Sequence, residues 1–174
     1  MPPFRRSIVL SAGALVGALQ VGCDNPTPGT PLGTFAVTTA LTTNSCGGSV
    51  ADTDPGNFSV TISNDNGVVF WFPDTGASSV SGALGANGAV SISEDLSGNV
   101  DGVDGGNGPC TLDRTDTLKF VLAPGSAPAS FTGSYSFTVS TASGSSCNDQ
   151  LTQYGGGYGT LPCTITYSLS GTRK

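Results

Sequence analysis

Beyond residue 32 the chain alternates apolar and small polar side chains in short runs, the period-2 signature of half-buried β-strands. This pattern predicts a strand at 33–45, with Phe35 and Val37 on one face, and another at 57–63, with Phe58, Val60 and Ile62 inward. Asn64-Asp65-Asn66-Gly67 then signals a hairpin, because Asn and Gly tolerate positive φ. Further strands are predicted at 68–72, 79–84, 89–94, 110–122, 131–146 and 163–170. Tyr135, Phe137 and Val139 share one side of the seventh, and Ile165, Tyr167 and Leu169 point inward on the eighth. Residues 95–109 read as a loop. Helical periodicity of useful length is absent after residue 22.

Successive strands joined by short links favour antiparallel neighbours. The expected fold is therefore all-β, an eight-stranded antiparallel up-and-down barrel over residues 33–174, closed by the eighth strand pairing with the first. An immunoglobulin-like β-sandwich is the alternative. The strand starts Gly33-Thr34-Phe35 and Gly133-Ser134-Tyr135 loosely resemble those of lipocalin- and avidin-like small barrels. That resemblance covers strand layout and carries no ligand-binding motif.

Composition changes this picture little. Twenty-six glycines and only 10% charged residues could mark a linker, but 37% hydrophobic residues in alternating runs suffice to bury a core. The formal charge is −6, and no Lys/Arg cluster is present, so phosphate backbones are repelled and nucleic-acid binding is not expected.

Residues 1–22 have the three parts of a secretory signal peptide: a basic start with Arg5 and Arg6, an apolar run at 8–21, and a small residue, Gly22. The run is too short to span a ~30 Å hydrocarbon core comfortably as a helix. Leu19-Gln20-Val21-Gly22-Cys23 resembles a bacterial lipobox. The resemblance implies cleavage before Cys23, a thioether-linked diacylglycerol on its sulfur, and acyl chains such as palmitate anchoring the protein in a membrane. The alternative is an ordinary cleaved signal, with Cys23 left as a free thiol or removed. Phe4-Arg5-Arg6-Ser7-Ile8-Val9 also resembles a twin-arginine export signal, although two arginines serve equally as the charged start of a general one. Residues 23–32 hold Pro26, Pro28 and Pro31, a stiff tether. The expected location is extracytoplasmic, at a membrane of the cell envelope.

Cys46, Cys110, Cys147 and Cys163 remain. In an oxidising compartment an even count reads as disulfides. A zinc site would want close Cys pairs or His partners, and the chain has no His. In an up-and-down barrel all four cysteines fall at one rim. Cys147 and Cys163 flank one hairpin loop, so the expected pairs are Cys147–Cys163 and Cys46–Cys110.

Candidate sites are few. Asp95, Asp101, Asp104 and Asn107 lie on a Gly-rich stretch and could supply oxygen ligands to calcium; the same residues also simply suit turns. Tyr154 and Tyr158, in the stretch between Cys147 and Cys163, could grip a small ligand, a glycan or a protein partner. Residues 68–72 are apolar on both faces, fitting a core strand or an exposed aromatic patch. Catalysis has no visible support: there is no His for a triad, and Glu94 and Asp95 point to opposite faces of a strand. Asp113, Arg114 and Asp116 read as surface charges. The expected role is non-enzymatic, either a binding module or a structural, adhesive surface protein with a filled barrel.

Overall fold

The computed structural model describes residues 27–47, 50, 56–100 and 110–174. The leader, Cys23 and residues 24–26 of the proline tether lie outside the described residues, as do Asp101, Asp104 and Asn107. Eight strands form one closed antiparallel barrel in chain order, and the sandwich alternative is set aside. They are β1 (Thr30–Asn44), β2 (Phe58–Asp65), β3 (Val68–Pro73), β4 (Val80–Leu84), β5 (Ala89–Val100), β6 (Cys110–Leu122), β7 (Ser130–Thr141) and β8 (Cys163–Arg173). Among the described residues the helical elements are three short 3₁₀ turns, and no helix is long and apolar enough to cross a membrane.

Local chemistry explains the tight turns. Asn66 and Gly67 both adopt positive φ, at 51° and 87°, and join β2 to β3 with Asp65 opposite Val68. This is the two-residue hairpin whose twist matches its strands. β8 closes the ring on β1 from Phe35↔Arg173 to Asn44↔Ile165. Arg173 secures that seam by donating to the carbonyls of Pro128 and Leu32.

Alternation fills the interior as expected. Phe35, Val37, Val60, Ile62, Phe137, Val139, Ile165, Tyr167 and Leu169 are buried. In β3, Val69 and Trp71 point inward and are buried, while Phe70 and Phe72 stack on the outer face with centroids 6.2 Å apart. At the pole where the chain enters β1, Phe131 meets Phe35, Trp71 and Phe120 at centroid separations of 5.4, 5.5 and 5.4 Å. These edge and tilted contacts add stabilisation beyond the area buried. Gly171 lies opposite Phe131 across the β7–β8 ladder, and a Cβ there would overlap the ring.

Two expectations need correction. The disulfides are Cys46–Cys163 and Cys110–Cys147, each with Cα atoms 4.9 Å apart, in place of Cys147–Cys163 and Cys46–Cys110. Ladder register decides this. β1 and β8 pair Thr43↔Thr166 and Asn44↔Ile165, a register that carries Cys46 directly opposite Cys163. Asn44 Oδ1 accepts from the Cys46 and Gly47 N–H groups and fixes the turn there. After β7 the chain folds back on β6, with Ala142 N–H donating to Thr111 O and Thr111 N–H donating to Ser145 Oγ. That contact delivers Cys147 to Cys110. Both bridges still sit at one rim.

The second correction concerns Asp95. It belongs to β5, which runs to Val100, and not to a loop. Along the outer face of β5 and β6, Thr115 Oγ1 donates to Asp95 Oδ1, Ser97 Oγ to Asp113 Oδ1, and Thr111 Oγ1 to Asn99 Oδ1, each at 2.7 Å. Cross-strand bonds of this kind hold an otherwise polar strand in place.

Candidate functional site

The interior is apolar at the chain-entry pole and changes character halfway up. Three same-face rungs of β5 and β6 show the change: Val90↔Phe120, then Ile92↔Leu118, then Glu94↔Asp116. Arg114 continues the inward row on β6. Sequence reading treated Arg114 and Asp116 as surface charges, but both share the parity of the buried Leu118 and Phe120 and turn into the barrel. Parity was the signal that identifies them.

Around this level the shell opens. β4 pairs with β5 only at Ala83↔Ser91 and Leu84↔Val90, and β3 stops at Pro73. Between β3 and β4 the exposed residues 74–79 form a lip. Its base is fixed by a reciprocal pair: Asp74 N–H donates to Ser59 O, and Ser59 N–H donates to Asp74 Oδ1, both at 2.9 Å. The bond from the Ser59 N–H holds the Asp74 carboxyl below its ordinary pKa.

A cavity of about 340 Å³ lies under that lip. Trp71, Ile92, Leu118 and Leu169 make its apolar floor, Phe58, Pro73 and Val80 its sides, and Thr75, Ala77 and Ser78 its mouth. Glu94, Asp116 and Tyr135 supply the polar end. Hollows of about 440 and 720 Å³ are larger, but one is ringed by turns at the chain-entry pole and the other lies on the outer face of β5–β7. Interior walls and convergent polar groups single out the smaller cavity.

The polar end is tightly organised. Arg114 Nε and Nη2 donate to Asp116 Oδ1 and Oδ2 at 2.6 and 3.0 Å, a bidentate pair. Arg114 Nη2 also donates to Tyr135 Oη at 2.9 Å, and Tyr135 O–H donates to Asp116 Oδ2 at 3.1 Å. The guanidinium lies over the Phe137 ring, 4.2 Å from its centroid. Burial, reinforced by the Asp116 charge, pushes the Tyr135 pKa above its ordinary value of 10.0. Burial works against the Arg114 charge, but its bonds to Asp116 and Tyr135 outweigh that and raise its pKa. Among the described residues no cluster of three carboxylate or thiol groups is placed to hold a metal ion.

The other sequence candidates are not drawn together here. Asp95 faces outward and spends Oδ1 on Thr115. Tyr154 is 59% exposed, whereas Tyr158 packs partly buried against the cluster of Cys46, Cys163 and Ile165. These two tyrosines therefore meet different surroundings. Comparison with known proteins finds no matching family model, no matching curated protein and no matching solved structure, so the likeness to lipocalin- and avidin-like barrels rests on strand layout alone.

Proposed function

We propose that this is an exported envelope protein, anchored through a lipid on Cys23, whose barrel binds a small, largely apolar molecule in its lateral cavity without catalysing a reaction. The observation that carries the reading is the cavity beneath residues 74–79, with Trp71 and Leu118 in its floor and ordered polar groups at one end. Disulfides on two pairs of adjacent strands are consistent with an oxidising, extracytoplasmic compartment. The lipobox-like Val21-Gly22-Cys23 supports the anchor, since acyl chains contribute about 0.8 kcal/mol per buried CH₂.

A second reading has its own support. Phe35, Phe120, Phe137 and Tyr167 are buried and Phe58 packs against the cluster of Phe35 and Phe120, so much of the barrel is filled. A filled barrel suits a structural or adhesive surface protein. Native mass spectrometry of the mature protein purified from its own host separates the two. The binding reading expects a non-covalent small-molecule adduct, diminished in Ala77→Phe at the cavity mouth, and acyl mass on Cys23. Adduct-free protein favours the structural role, and an unmodified Cys23 removes the anchor.

A further inference from the structure

We infer that the ligand of the lateral cavity carries a positively charged ammonium group, held at Glu94, on an apolar body lying against Trp71 and Leu118; this rests on the cavity being a ligand site. Glu94 and Asp116 face each other directly across the β5–β6 ladder, on the same side of the sheet. Like charges so placed destabilise a sheet. Only one of the two is compensated: Arg114–Asp116 is the sole ion pair among the described residues. The other described cations are elsewhere. Lys119 is exposed on the outer face of β6, Arg173 donates to the Leu32 and Pro128 carbonyls at the chain-entry pole, and Lys174 Nζ bonds Ser59 Oγ outside the barrel at the base of the lip.

Each ligand class has a different consequence at this end. An anionic ligand meets Glu94 and Asp116 against a single guanidinium already engaged twice. Glu94 lines the cavity but is exposed, so a neutral ligand leaves its carboxylate hydrated and gains nothing from its charge. An ammonium group compensates Glu94 and relieves the repulsion with Asp116. Trp71, Phe58 and Tyr135 line the same space, so a cation held there lies among aromatic rings. The chain's charge of −6 attracts cations from solution as well. A volume of about 340 Å³ is near the lower end of ligand pockets, which fits a single small amine.

Trp71 is the only tryptophan in the chain, so its emission reports on the cavity directly. The full chain bearing Cys23→Ser, exported and released into solution, is titrated with 2-phenylethylammonium, 2-phenylethanol and 3-phenylpropanoate. The ammonium compound is expected to bind about tenfold more tightly than the alcohol, with the carboxylate weakest. Glu94→Gln should collapse the ammonium-to-alcohol ratio to about one, with far-UV circular dichroism verifying the barrel. Asp65→Asn, which removes one negative charge at the opposite pole, should keep the ratio. Equal affinity for ammonium and alcohol, a preference that survives Glu94→Gln, or a ratio lost equally in Asp65→Asn overturns the inference while leaving the cavity a ligand site. Failure of all three probes to alter Trp71 emission, or binding that ignores Ala77→Phe, sinks the cavity reading itself.

Discussion

Strands β5, β6, β7, β8 and β1 have 12, 13, 12, 11 and 15 residues and build a tall, continuous wall. β2, β3 and β4 have 8, 6 and 5. The tall wall reaches the cysteine rim, and both disulfides join neighbouring strands along it. The short wall stops beside the cavity and is continued by the exposed lip at 74–79. One barrel thus combines a stapled side, where ladders and cross-links fix geometry, with an open side, where a missing stretch of ladder makes room. Closure and access come from the same sheet by varying strand length.

The largest expected effect tests whether the β1–β8 seam is the most costly place to loosen the tall wall. Cys46–Cys163 closes 117 residues and Cys110–Cys147 closes 37. On chain entropy, Cys46→Ser with Cys163→Ser should cost about 5 kcal/mol, and Cys110→Ser with Cys147→Ser about 4. Urea unfolding of both double variants measures the difference, and equal or inverted losses would deny the seam its special status. A smaller effect contrasts packing. Gly171→Ala forces a methyl into the Phe131 ring and should cost roughly 1–3 kcal/mol. Ser78→Ala on the exposed lip should stay within about 0.5 kcal/mol. Thermal melts of the two variants make the comparison.

The polar end should respond more mildly than Gly171. Tyr135→Phe should cost about 1 kcal/mol near neutral pH by removing the bonds to Arg114 and Asp116. With the folded pKa of Tyr135 raised, the unfolded chain loses this proton first. Wild-type stability should therefore fall as pH rises past about 10 toward the folded pKa, and the gap to Tyr135→Phe should narrow there. A gap that stays constant from pH 8 to 11 would count against the burial of this hydroxyl.

Period-2 alternation made the barrel legible, because each inward side chain must meet a common apolar interior. The same parity contains Arg114 and Asp116, four and two residues before Leu118, yet charges on strands usually face water, and that habit hid the polar end of the cavity. The extension of β5 through Asp95 could not be read locally. Ser97, Gly98 and Asn99 carry turn chemistry, and only the register with β6 gives the Ser97 and Asn99 side chains partners, in Asp113 and Thr111. Disulfide pairing failed for a related reason. Proximity along the chain favoured Cys147 with Cys163, but a register shift between Leu41 and Thr43 sets which residue just after β1 stands opposite Cys163. Such a shift leaves no mark in composition.

Pairing the first strand with the eighth also has a kinetic side. During synthesis β1 emerges more than a hundred residues ahead of β8, and one of its edges stays bare throughout that interval. The other seven ladders join consecutive strands, so closing this one distant pairing carries the largest loop-closure entropy and is expected to come late. An unprotected edge over that time is a template for aggregation. Escort of the nascent chain by a holding chaperone until β8 arrives would shorten that exposure.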